Sequence, residues 1–249
     1  MFEPIMVFFL SLIANTFSAF FGGGAGLIQL PVLIFLGLPF SVALATHKIA
    51  SVALGLGATL RHLKNSQLER SFACFNLLWG LPGVVIGAYW VVDLPQRSAE
   101  IALGVLTLSL GVYSVFSPRL GQHFAPKNRS GWPYYVGGLG LFLIGLVNGA
   151  LSSGTGLLVT LWQIRWFGLD YQRAVAYTLV LVGLFWNGSG ALTLSLIGPV
   201  QWHWLPILII ASLLGGYLGA HLSIIKGNAW IKRGFEGVTL LIGLKLILG

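Results

Sequence analysis

Gly22-Gly23-Gly24-Ala25-Gly26-Leu27-Ile28 recurs 130 residues later as Ser152-Ser153-Gly154-Thr155-Gly156-Leu157-Leu158. The same register runs on. Gly37-Leu38 followed by Ala43-Leu44-Ala45 returns as Gly168-Leu169 followed by Ala174-Val175-Ala176, an offset of 131. Gly57-Ala58 returns as Gly190-Ala191 at 133, and Gly87-Ala88 as Gly219-Ala220 at 132. One running offset with small shifts is what insertions and deletions leave in a duplicated chain. The reading is two repeats, 1–117 and 133–249, joined by a cytoplasmic linker at 118–132.

Composition says where such a chain lives. Hydrophobic residues make up 56% of it and charged residues 8%, against about 25% charged in a soluble domain. There is too little polar surface for water on all sides. The net charge of +8 is scattered over segment ends, so there is no basic stripe for nucleic acid. Cys74 is the only cysteine, which excludes an internal disulfide and a cysteine metal cluster. The five histidines form no H-x-x-x-H or H-E-x-x-H pattern, and no paired acids stand within an apolar run. No catalytic residue, metal ligand or cofactor site is predicted, and an enzyme is disfavoured. Residues from Ile5 onward read as a mature membrane segment, because a basic n-region and a cleavage site are lacking.

Apolar runs of span length fall near 42–61, 72–92, 99–116, 173–196, 203–223 and 231–248. Each half opens differently. Residues 5–21 are apolar, the glycines at 22–24 break the run, and a short stretch at 26–36 follows. The second half repeats this with 133–150, a break at 152–154 and 156–167. An 11-residue helix rises about 16 Å, roughly half the hydrocarbon core. The expected fold is therefore an all-α integral membrane protein of two inverted-topology repeats. Each has about five helical segments, the first two forming a Gly-broken, re-entrant helical hairpin. Counting those segments as full crossings gives the same loop sides.

Loop charges set the orientation. Arg61, Lys64 and Arg70 oppose only Glu69, whereas Asp93 to Glu100 has one Arg against two acids. Arg119, Lys127 and Arg129 have no acid near them, and Lys226 to Arg233 carries three positives. By the positive-inside rule the corresponding loops of the two halves face opposite sides, with both termini outside.

The two short helices are expected to aim their N-termini at the midplane, where free N–H groups and the dipole favour an anion. Glycine lets an oxyanion come close to the backbone. Close helix packing is the alternative use of such glycines. The candidate substrate-binding residues are Gly22, Gly23, Gly24, Gln29, His47, Lys48, Asn148, Ser152, Ser153, Gly154, Thr155, Tyr177 and Thr178. Lys48 lies about two turns inside a span, where a charge costs about 2.5–3.5 kcal/mol on insertion scales and is usually functional. It either meets the substrate anion or snorkels to the nearby interface. His47 adjoins it but points about 100° away around the helix. Asn15, Gln163 and Asn187 are further polar residues in apolar runs.

A glycine-rich break before a short helix with Pro31, then Gly37-Leu38-Pro39 and Ala43-Leu44-Ala45-Thr46, all duplicated, resembles the TauE/SafE family of anion transporters. The resemblance covers essentially the whole chain. Two features depart from the family pattern: the second copy has no triple glycine, and His47-Lys48 stand where small or hydroxylic residues are expected. The resemblance implies export of sulfite, sulfoacetate or a related sulfonate from a bacterium across its cytoplasmic (inner) membrane, with no cofactor. Alternating access between the repeats is the expected mechanism, driven by the membrane potential, since no midplane carboxylate is evident. An anion channel of the same architecture is the alternative. The expected partners are the sulfur anion and the lipid bilayer, with no nucleic acid, and the assembly is a monomer or a homodimer.

Overall fold

The structure, a computed structural model, describes residues 2–22, 25–62, 68–90, 96–152 and 154–248. These form helices and no strand. The first half contributes α1 (Phe2–Phe21), α2 (Ala25–Phe35), α3 (Phe40–His62), α4 (Arg70–Trp90) and α5 (Gln96–Val115). The second contributes α6 (Gly131–Leu151), α7 (Thr155–Phe167), α8 (Tyr171–Ile197), α9 (Leu205–Lys226) and α10 (Asn228–Leu248). Among the described residues, α1 from Pro4, α3, α4, α6, α8 and α9 are long and apolar enough to cross a membrane. The half-length segments are α2, with 11 residues, and α7, with 13. Lys64 and Asp93, used above for orientation, lie outside the described residues, as do Gly23, Gly24 and Ser153.

The two halves make the same contacts with exchanged partners. In one, α4 packs on α6; in the other, α9 packs on α1. Glycines set both approaches. A Cβ added at Gly83 or Gly87 would sit 2.3 Å from Phe142 O or 2.0 Å from Leu146 O. At Gly215 or Gly219 it would sit 2.8 Å from Leu12 O or 2.2 Å from Thr16 O. Adding 132 to the first glycine pair gives the second, and subtracting 130 from the first carbonyl pair does the same. Backbones this close are typical of membrane helices, where small residues replace the hydrophobic driving force with dense packing. The third helices of the two halves, α3 and α8, cross backbone to backbone. A Cβ on Gly55 would lie 2.5 Å from the Gly183 carbonyl carbon. The last helices, α5 and α10, also pack together.

Residues Thr178–Trp186 of α8 are π-helical, between α-helical turns at Tyr171–Tyr177 and Asn187–Ile197. This stretch gives the repeat's register shift a structural address. The offset is 131 at Ala43/Ala174 and 133 at Gly57/Gly190, so two extra residues lie between them. Wide turns absorb extra residues without breaking the helix.

The linker is docked onto both halves. Ala125 N–H donates to Gly168 O at 2.9 Å and Lys127 N–H to Phe167 O at 3.1 Å. Arg129 lies 3.6 Å over the Phe72 ring and pairs with Glu69 at 3.2 Å.

Candidate functional site

Residues flanking both helix breaks line one cavity of about 40 Å³, beside the α3–α8 crossing. From the first half Ser18, Gly26, His47 and Ser51 line it. From the second come Asn148, Ser152, Gly154, Thr155, Gly156, Thr178 and Asn187. Several are repeat equivalents: Ser18 with Asn148 and Gly26 with Gly156 at 130, and His47 with Thr178 at 131. The wall is thus built twice from corresponding positions. Among the described residues, no carboxylate lines it.

Gly26 and Gly156 are the second residues of α2 and α7. The first N–H groups of a helix have no partner within it, and both short helices begin at this cavity. Ser152 has φ +59, a region that a residue with a side chain enters only at a cost of about 1–3 kcal/mol. Its equivalent 130 residues earlier is Gly22, with φ +96. The residue that ends the preceding helix thus has a positive φ in both halves, with a serine in the second where the first has the permissive glycine. The Gly22 carbonyl accepts from Thr160 Oγ1 at 2.8 Å, and Thr160 lies 2.9 Å from Thr178 Oγ1. A side chain at Gly22 would run into Thr160 at 2.6 Å. The first break is thereby fastened to α7 of the other half.

His47 sits at the end of a buried polar chain. Asn15 Nδ2 donates to Ser212 Oγ at 3.1 Å, and Gln29 Nε2 reaches the same hydroxyl at 3.5 Å. Gln29 Oε1 lies 2.7 Å from His47 Nδ1, and Ser51 Oγ 3.2 Å from His47 Nε2. Because the amide oxygen only accepts, Nδ1 carries the hydrogen in this arrangement and Nε2 accepts from Ser51.

Lys48 is fully buried, which removes the snorkelling alternative. Its Nζ donates to Asn148 O at 2.8 Å and to Asn148 Oδ1 at 3.2 Å. Its methylenes lie against Gly190, where a Cβ would come within about 3 Å. It does not line the cavity. The ammonium sits at the C-terminal end of α6, where the helix dipole favours a cation. It also fixes the Asn148 amide, so that Nδ2 donates to Thr155 Oγ1 at 2.7 Å. Thr155 Oγ1 in turn donates to Ser152 O at 2.8 Å.

Of the residues singled out from sequence, His47, Asn148, Ser152, Gly154, Thr155 and Thr178 meet at the cavity. Gln29, Lys48 and Gly22 stand one layer behind it. Tyr177 is elsewhere: its hydroxyl accepts from Glu69 N–H at 2.6 Å, and its ring stands edge-on to Phe72. Ser18, Ser51 and Thr160 were missed. Ser18 could have been found by subtracting 130 from Asn148, and Ser51 by its place one helical turn beyond His47. Thr160 carries no signal in the sequence. Among the described residues, Asn187 Oδ1 is buried without a hydrogen-bond partner, a cost of about 1–3 kcal/mol that only a hydrogen-bond donor, such as a water, would remove.

A family model described as sulfite exporter TauE/SafE matches residues 7–246. A "probable membrane transporter protein" of Haemophilus influenzae is 28% identical over 229 residues, covering 91% of this chain and 88% of the relative. The "probable membrane transporter protein YfcA" of Escherichia coli K12 is 24% identical over 97% of this chain and 88% of its own. "Probable membrane transporter protein YunE" of Bacillus subtilis is 25% identical over 98% of this chain and 97% of its own. No solved structure gives a significant match.

Proposed function

The chain belongs to the TauE/SafE family and is a multi-pass membrane transporter, and from that premise we propose that it exports a small sulfur oxyanion through the cavity between its two breaks. The observation that carries this reading is the cavity wall: two short-helix N-termini and a set of neutral donors, with no carboxylate among the described residues. Such a wall suits an anion that must bind and leave again. Volume narrows the choice. One water needs about 10–15 Å³ of such space, so about 40 Å³ holds roughly three or four water-sized groups. Sulfite, with four heavy atoms, fits. Sulfoacetate requires the walls to part.

The exchanged α4–α6 and α9–α1 contacts support two inverted repeats, 1–117 and 133–249, that rock against each other across the cavity. An inside-negative potential contributes about 2.3 kcal/mol per charge per 100 mV to the export of an anion. Liposomes loaded with sulfite and given a potassium diffusion potential test this. Saturable efflux with counterflow, faster when the inside is negative, is expected. Efflux indifferent to the potential defeats electrogenic export, and efflux without saturation or counterflow makes the protein a channel.

The orientation has its own check. With the chain in the bacterial cytoplasmic membrane and both termini outside, a reporter fused after Gly249 is expected to be active only on the outer face. A cytoplasmic signal inverts the arrangement.

A further inference from the structure

A second hollow, of about 470 Å³, opens on the surface where the linker leaves α5 and passes α7. Tyr113, Leu120 and Ile164 supply its apolar part, and Arg119, Lys127 and Arg165 surround it. All three cations are exposed. The backbone bond from Lys127 N–H to Phe167 O fixes the linker beside the end of α7. The acids whose side chains are described are occupied elsewhere: Glu69 with Arg129, Asp170 with Arg173 and Glu236 with Lys232. Among the described residues, none of the three cations around the hollow has an ion pair. Three like charges facing one space repel each other, so the arrangement gains most from an anion supplied from outside.

The surroundings say what kind of anion. The hollow is about twelve times the volume of the interior cavity, much larger than a free inorganic ion fills. It lies at the C-terminal end of α5, where exposed Tyr113 lines it and Val112, Val115 and, just past the helix, Phe116 are also exposed. Tyr113 stands about 100° round the helix from Val112, so these side chains cover one broad apolar side of its last turn. A charged rim beside an apolar surface matches a headgroup with its acyl chain. Basic pockets at helix ends are where acidic headgroups are held.

We propose that this hollow binds the phosphate headgroup of an anionic phospholipid, with an acyl chain lying against the exposed apolar side chains at the end of α5. The proposal rests only on the chain's being a membrane protein, and it stands whichever anion is transported.

The test uses the full chain purified in detergent, with binding read by native mass spectrometry and thermal unfolding. The probes are phosphatidylglycerol, phosphatidylcholine and inorganic phosphate. Phosphatidylglycerol is expected to bind and raise the Tm, and the other two to do neither. A juxtamembrane cation contributes about a fivefold factor to such binding. The triple variant Arg119→Gln, Lys127→Gln, Arg165→Gln is therefore expected to weaken phosphatidylglycerol binding by about 100-fold. Arg70→Gln, on exposed surface outside the hollow, is expected to leave it unchanged. If the triple variant does not fold, Arg165→Gln alone is expected to show about a fivefold loss. Equal stabilisation by phosphatidylcholine, undiminished binding by the variants, or the same shift from inorganic phosphate alone would each overturn the proposal.

Discussion

Gly87→Ala and Gly219→Ala are expected to destabilise the purified protein to the same degree, and leucine at either position to prevent recovery of monodisperse protein. Two effects oppose each other at these sites. Replacing glycine by alanine inside a helix gains about 1 kcal/mol of helix propensity. The new Cβ, however, would lie 2.0 Å from Leu146 O at position 87 and 2.2 Å from Thr16 O at position 219. Even weak C–H···O contacts need about 3.3 Å, so each helix pair must separate by about 1 Å along its length. Dispersion contacts are lost over such a gap, and overpacking costs typically 1–3 kcal/mol or more. The clash wins, by a margin of about one or two kcal/mol for alanine. Gly237 reverses the sign, because nothing lies within 4 Å of its Cβ position. Gly237→Ala is expected to raise stability by up to about 1 kcal/mol. Thermal unfolding followed by size exclusion reads all three. If one of the first pair were tolerated and the other not, the exchanged contacts would not be mechanical equivalents.

The helices were legible in the sequence because a membrane span needs about 20 apolar residues and little else. The breaks were legible because glycine and serine clusters interrupt runs that are otherwise continuous. What the register shift did to the structure was not legible. An offset moving from 131 to 133 says that two residues were added, and a loop is the ordinary place for them. Here the stretch between Ala176 and Gly190 is unbroken helix, with π turns at Thr178–Trp186. Sequence periodicity barely distinguishes such turns from an α-helix.

The site was legible at its centre and blurred at its edges. Polar residues beside the breaks, such as Asn148, Ser152, Thr155 and Thr178, reach the cavity because the breaks themselves form it. Tyr177 precedes Thr178 in the sequence, but one residue is about 100° of helix, enough to turn it toward Glu69 and Phe72. The same step separates His47, which faces the cavity, from Lys48, which reaches across to α6. Burial cost marked Lys48 as important. Its partner is 100 residues away in the chain, and only the packing of α3 against the end of α6 reveals it.

That partnership carries the second large effect. Lys48→Met is expected to leave the fold intact and to lower transport by about tenfold or more. Methionine fills a similar volume and removes a cation whose burial is itself unfavourable, so stability should change little or rise. The Asn148 side chain, however, loses the charged donor that sets its orientation. A hydrogen bond to a charged group is worth about 1.5–3 kcal/mol. Spent on holding one wall of the cavity in its binding form, that is a factor of roughly 10–100 in function. Asn148→Leu is expected to do more harm to the fold, since it leaves the buried ammonium with the Asn148 carbonyl as its one acceptor. Lys48→Arg is not a rescue, because the lysine side chain already fills the space beside Gly190, where an added Cβ would come within about 3 Å of it. The double variant Lys48→Met, Asn148→Leu decides between holding Asn148 and meeting the substrate directly. If Lys48 acts through Asn148, the double variant transports no worse than Asn148→Leu alone, since the interaction is lost only once. Losses that multiply would place Lys48 on the substrate itself, and wild-type flux in Lys48→Met would reduce its role to packing.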